Sequence, residues 1–261
     1  MRRYYLIILS LICAFALHAQ EYQLAKPLIK VEGGPFFEKQ AMVVADFRLE
    51  GAKLFYTLDS SEPSEKSKRY RKAIKIKTGS TFKVKAFKEG FIPSETVTTE
   101  LVQLREKVVS ATVSPEPSKT YAGDGAKTLA DRQGGSLNFR DGNWLGYNEG
   151  PITITLDLGE VKPVNEVIIS TLTSSGSWIM PPTSISVRGS FDGIHFIGKQ
   201  ELDIPRLKQE DPSGKAYYKL SLSEAKYRFI ELVISPLDKL PSWHPGKGNA
   251  AWVFLDEIII N

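Results

Sequence analysis

The sequence predicts an all-β protein, a small β-sandwich followed by a larger β-sandwich or jelly roll. Three observations predict it. From Leu28 onward the chain reads as short runs of alternating apolar and polar residues separated by turn residues, with no long helical period. Its 20 Gly and 15 Pro supply turns throughout without approaching low complexity. The charge balance also changes near Leu104–Lys107. Residues 24–104 hold 15 basic and 10 acidic side chains, a net +5, and residues 105–261 hold 17 and 19, a net −2. Two domains are therefore expected, over 24–104 and 105–261. A chain of 261 residues, 42% hydrophobic and 25% charged, is long enough for two cores. The same composition excludes disorder, collagen and coiled coil as whole-chain readings.

The first residues read as a targeting segment. Arg2 and Arg3 are followed by an apolar run, Tyr4 to Leu17, broken only by Ser10, and then by Ala19 and the polar Gln20 and Glu21. This order of charged, apolar and small residues is that of a secretory signal peptide. The run is short for a membrane span, which needs about 20 residues. Cleavage is expected after Ala19, so residues 1–19 leave and the protein is exported to the periplasm or cell surface. The one cysteine, Cys13, leaves with them, which excludes an intrachain disulfide and a cysteine zinc site. Leu11 and Ile12 stand before Cys13 where a lipidated cysteine has small residues.

In the first domain the expected strands are Met42–Leu49, Lys53–Leu58, Ala73–Lys77, Thr81–Lys88 and Thr96–Leu104. Within Thr81–Lys88, Phe82, Val84 and Ala86 alternate with Lys83 and Lys85, giving one buried and one solvated face. In the second domain they are Ile152–Leu158, Val164–Thr171, Ser184–Ser190, Ile194–Glu201, Ala216–Leu220, Tyr227–Ser235 and Trp252–Ile260. The Asp192-Gly193 dipeptide between two of these runs is a hairpin signal.

Catalytic chemistry finds little support in the residues. Beyond residue 19 only His195 and His244 are available as imidazole bases. His195 sits in a hairpin strand just after Asp192-Gly193 and reads as a structural or surface residue. There is no Gly-x-Ser-x-Gly elbow and no glycine-rich phosphate loop before a helix. Asp256 and Glu257 are adjacent, but strand alternation sends neighbours to opposite faces, so they are not expected to flank one glycosidic bond. The basic cluster Lys66, Lys68, Arg69, Arg71, Lys72, Lys75 and Lys77 reads first as a solvated loop and strand face, with polyanion or membrane contact as the alternative. The net −2 of the second domain argues against a membrane surface.

The segment Leu54-Phe55-Tyr56-Thr57-Leu58-Asp59-Ser60-Ser61-Glu62-Pro63-Ser64 resembles the Tyr-Thr-x-Asp-Gly-Ser-x-Pro signature of a small immunoglobulin-like domain. That domain stands at the C-terminal end of chitobiases and β-hexosaminidases. Phe82–Phe87 and Pro93-Ser94 fit it too, and Ser60 replaces the usual Gly. The second domain resembles the discoidin, or coagulation-factor C-type, domain, whose fold is shared by family-32 carbohydrate-binding modules. The pieces are Leu129-Ala130-Asp131, Asp141-Gly142-Asn143-Trp144-Leu145-Gly146, Ile154-Thr155-Leu156-Asp157-Leu158-Gly159, Ser190-Phe191-Asp192-Gly193 and Asp256-Glu257-Ile258. Ser177–Pro182 and Pro241–Ile258 are similar to the discoidin-type tail of certain bacterial family-20 β-hexosaminidases, which carry both modules in this order. The catalytic barrel of those enzymes, with its Asp-Glu pair, is missing from the sequence.

The resemblance implies a non-catalytic glycan-binding protein, with hexosamine- or galactose-type sugars as ligands. The alternative is an accessory subunit that docks onto a separately encoded glycoside hydrolase. A sugar offers an apolar C–H face to a loop aromatic and hydroxyls to nearby polar groups. Trp178, Trp243, Trp144 and Tyr147 are the loop aromatics expected to provide that face, with His244 donating to a hydroxyl, while Trp252 is expected in the core. A packed loop crown without ligand is the competing reading of this cluster. The resemblance further implies one structural Ca2+ on Asp131, Ser136 and Glu257, completed by backbone carbonyls to the six to eight oxygens calcium takes. Arg132 departs from the family pattern there. The alternative is a turn capped by Asp131 and an ion pair of Glu257 with Arg132.

Overall fold

The computed structural model describes residues 22–261, with the side chains of all but 223–225. The signal peptide expected over residues 1–19 lies outside the described residues. Among them no α-helix occurs, and regular structure is strand with three short 3-10 turns. No described helix is long and apolar enough to cross a membrane.

Eight strands precede residue 104. They are β1 (Leu28–Glu32), β2 (Phe36–Phe37), β3 (Ala41–Asp46), β4 (Lys53–Thr57), β5 (Lys68–Tyr70), β6 (Ile74–Ile76), β7 (Ser80–Phe87) and β8 (Val97–Gln103). They form two sheets, β1-β3-β6 and β2-β8-β7-β4-β5. Ala41, Val43 and Ala45 of β3 face Phe82, Val84 and Ala86 of β7 in one core. Alternation places Lys83 and Lys85 on the other side of β7, half-buried rather than in the core. Tyr70 at the sheet edge accepts a hydrogen bond from Ala45 N at 2.9 Å and so ties one sheet to the other.

The remaining strands are β9 (Ser110–Ser114), β10 (Leu145–Tyr147), β11 (Ile152–Thr173), β12 (Ser184–Ser190), β13 (Phe196–Asp203), β14 (Gly214–Ser235) and β15 (Val253–Ile260). The two runs expected on either side of Gly159 are one 22-residue strand, β11, and those at 216–220 and 227–235 join in β14. The turn signals between them are register shifts, at Asp157/Lys162 and Val164/Glu166, that bend the paired strands without ending them. The early halves of β11 and late half of β14 pair with β9 and β12. The late half of β11 pairs with β15. The sheet thus folds over on itself around Ile152, Ile154, Leu156, Val167, Ile169, Leu255, Ile258 and Ile260. The Asp192-Gly193 turn forms as expected: Asp192 accepts from Ile194 N and His195 N, both at 2.9 Å, and Gly193 has φ +76°.

The two sandwiches share an apolar seam. Phe36, Val102 and Leu104 pack on Ile168, Tyr217 and Ile259 of the second sheet's outer face. Around it Arg132 pairs with Glu38, Lys219 lies 3.8 Å from Glu100, and Glu106 N donates to Ile260 O. Lys215 sits in the seam, 2.5 Å from Asp256 and over the rings of Phe36, Trp144 and Tyr217.

Candidate functional site

Two loops of the second sandwich meet at Trp178. The 3-10 turn Ser175–Ser177 ends with Trp178 at φ 66° and ψ 12°, its N–H bonded to Ser175 O. The left-handed conformation costs a non-glycine residue roughly 1–2 kcal/mol, and the surroundings hold it. Trp178 O accepts from Trp252 N at 2.9 Å, and the indole lies so close to Gly246 that a β-carbon there would meet it at 2.9 Å. The ring is 39% exposed.

His244 is the strap between the loops. Its Nδ1 accepts from Gly246 N at 2.9 Å, so the proton sits on Nε2, which donates to Ser175 O at 2.8 Å. The ring is 4% exposed and lies edge-on to Trp178 and Trp243, with centroids 6.4 and 5.7 Å away. Both nitrogens are committed to backbone, so the expected donation to a sugar hydroxyl is corrected: His244 positions Trp178. Trp243 turns the other way, onto Met180, Leu240 and Ala251.

Trp144 and Tyr147 are also corrected. Trp144 is 1% exposed, bonds Ser136 O through Nε1 and packs so tightly on Gly135 that a β-carbon there would lie 2.3 Å away. Tyr147 is 2% exposed because Leu145–Tyr147 is a strand paired with β15, not a loop. Neither ring face is open to a ligand.

What lies open beside Trp178 is a cleft of about 270 Å³, walled by Tyr121, Phe139, Arg140, Trp178 and Trp252 over Phe254. Tyr121 stands edge-on to Phe139, Trp252 and Phe254. The Arg140 guanidinium lies over the Phe139 ring, 5.4 Å from its centroid. Tyr121, Phe139 and Arg140 also wall a second cleft of about 290 Å³ with Thr120 and Gly142. Sequence reasoning missed Tyr121, Phe139 and Arg140 and assigned Trp252 to the core. The available signal was the run Asn138-Phe139-Arg140-Asp141-Gly142, a charged aromatic pair beside a turn. A larger cavity of about 680 Å³ opens in the first sandwich near Leu24, Phe47 and Phe91. Its cations are already paired, Lys26 with Glu95 and Arg48 with Asp46.

The expected metal ligands are only partly assembled. Asp131 and Glu257 face each other and share a hydrogen bond. Glu257 is 2% exposed, and burial first, then the Asp131 charge, push its pKa up to about 9. Burial raises that of Asp131 too. Ser136 is drawn away: its hydroxyl accepts from Asn138 N at 3.1 Å, and its N–H donates to Asp141 at 2.6 Å. Arg132 gives Glu257 only its backbone N–H, at 2.9 Å, and turns its guanidinium to Glu38 and Glu106 O. The expected ion pair of Arg132 with Glu257 is therefore corrected, while the Asp131 cap on Gln133 N is present at 2.7 Å. A β-bulge at Asp256 turns both neighbouring carboxylates inward, Asp256 to Lys215 and Gly135 N, Glu257 to Asp131. Among the described residues no three His, Cys, Asp or Glu side chains gather as a metal site. The buried Glu257 carboxylate facing the exposed Asp131 nonetheless fits a hard cation that would displace the Glu257 proton and take further oxygens from backbone or water.

No curated protein matches the sequence. Solved structures that resemble the chain include a pectin binding carbohydrate binding module at 18% identity and TM-score 0.39, covering 60% of this chain and 92% of that one. A fucose binding module of Streptococcus pneumoniae aligns at 16% identity and TM-score 0.37, over 58% of this chain and 89% of that one. The C-terminal domain of a chitobiase from Bacteroides fragilis aligns at 19% identity and TM-score 0.36, over 59% and 91%. Residues 31–99, which contain the Leu54–Ser64 signature and the alternating strand at Phe82, match the family model of the chitobiase/beta-hexosaminidase C-terminal domain.

Proposed function

We propose that this protein is an exported, non-catalytic glycan-binding protein whose second sandwich holds sugar in the Trp178 cleft. The observation that carries the reading is the cleft itself: exposed aromatic faces on a braced loop, with Arg140, the Tyr121 hydroxyl and Ser177 at hand for hydroxyl groups. Stacking on Trp178 supplies apolar contact, and the bracing lowers the ordering cost of binding. Hexosamine- or galactose-type sugars are the proposed ligands, bound at one site with roughly millimolar to micromolar affinity. One Ca2+ on Asp131 and Glu257 is proposed as a structural ion beneath the loop 131–141. Export by cleavage after Ala19 would place the protein in the periplasm or on the cell surface.

A glycan-array screen of the purified protein beside Trp178→Ala tests the reading. Selective binding that the variant loses is the expected result. A folded protein that binds no glycan would overturn it and favour docking onto a separately encoded hydrolase.

A further inference from the structure

We infer that the glycan held at this cleft is acidic, with the carboxylate of a uronic acid residue seated on Arg140. The inference rests on the sugar-binding reading above and adds the class of sugar. Arg140 is exposed and forms the wall shared by the two clefts, of about 270 and 290 Å³. A saccharide chain lying across the Phe139–Arg140 ridge puts one residue in each cleft and the substituent between them beside the guanidinium.

That guanidinium has no carboxylate partner among the described residues. The neighbouring acid is directed to backbone instead: Asp141 accepts from Ser136 N at 2.6 Å through one oxygen and from Asn143 N at 2.9 Å through the other. Arg132, Arg188 and Arg228 of the same sandwich are all held in ion pairs, with Glu38, Glu231 and Asp157. Arg140 instead stands over Phe139, which holds the planar fork on the ridge without satisfying its N–H groups. A fixed, unpaired guanidinium matches a planar carboxylate with two parallel hydrogen bonds. Arg140 is the one Lys or Arg among the residues lining the two clefts, and a lone cation there fits an isolated carboxylate better than a densely sulfated chain.

The test is a titration panel of oligosaccharides in pairs, each uronic acid oligomer beside its carboxyl-reduced form, including α-1,4-galacturonate and a hexosamine–glucuronate tetrasaccharide. The proteins are the wild type, Arg140→Gln and Trp178→Ala. We expect the wild type to prefer an acidic member over its reduced partner by about tenfold, with the preference falling as salt rises. Arg140→Gln should lose that preference, binding the acidic and reduced members of a pair equally at a reduced affinity, whereas Trp178→Ala should lose both. Equal or tighter binding of the reduced forms by the wild type overturns the inference and leaves sugar binding standing. So does an acidic preference that survives Arg140→Gln. No binding of any member by folded wild type overturns the sugar-binding reading itself.

Discussion

The Trp178 ring stands at the mouth of the proposed cleft because its own backbone and two neighbours fix it there. Its own left-handed backbone turns the ring outward, His244 ties the two loops, and Gly246 gives the indole a surface without a side chain. Gly246 does not have a positive φ, so alanine suits its backbone, and what is at stake is the contact with the ring and a lesser one with Leu240 at 3.2 Å. Gly246→Ala should therefore push the indole off its seat, cost about 1 kcal/mol or more of stability, and weaken glycan binding. Thermal unfolding and ligand titration check this, and an unchanged affinity would show that the ring is not the contact face.

Two strand irregularities set the chemistry of the second sandwich. The bulge at Asp256 turns adjacent carboxylates inward, one to Lys215 and one to Asp131. If Ca2+ occupies the Asp131–Glu257 pair, adding it to chelator-treated protein should raise the melting temperature in a concentration-dependent way, with a stabilisation of about 2.7 kcal/mol at a hundredfold excess over Kd. Glu257→Gln should abolish the response, and a wild type indifferent to Ca2+ would rule the ion out. The second irregularity follows Asp157, where β11 bends. There Arg228 grips Asp157 with two hydrogen bonds of 2.9 Å and lowers the pKa of its carboxyl. The folded pKa lies below the unfolded one, so the pair stabilises the protein above about pH 4 and the gain is lost as pH falls through the folded value. Arg228→Gln should lower stability near neutrality and flatten that acid limb, measured as denaturant midpoints against pH.

At the scale of the whole molecule, the seam makes the two sandwiches one mechanical body. Phe36, Val102 and Leu104 bury their side chains on Ile168, Tyr217 and Ile259, and Arg132 crosses from the Asp131–Glu257 loop to Glu38. Unfolding of the intact protein should be a single calorimetric transition. Phe36→Ala removes the ring on which Tyr217 and Lys215 rest, and should cost about 3 kcal/mol. The transition should then split into two, while glycan binding at the distant cleft persists. A wild type that already melts in two separate steps would contradict this coupling.

Period-two alternation made the strands readable from residues alone, because burial of one face repeats every second residue wherever two layers enclose a core. The hairpin at Asp192-Gly193 and the alternating β7 are local facts, written in dipeptides and neighbours. The joining of β11 and of β14 was not readable, because Gly159 marks a bend as well as it marks a turn, and only the partner strand decides which. The site shows the same division. Residue type and the flanking Gly and Pro mark Trp178 as a loop aromatic, whereas Asp131 and Glu257 are named only by the resemblance. Which aromatics face solvent could not, since Trp144 and Tyr147 were drawn inward by Gly135 and by pairing with β15. Tyr121, the adjacent pair Phe139-Arg140, and Trp252 stand apart in the chain and meet only when the loops converge. Residue chemistry and alternation are properties of short stretches, whereas a cleft is a property of distances between stretches, and those are set by packing.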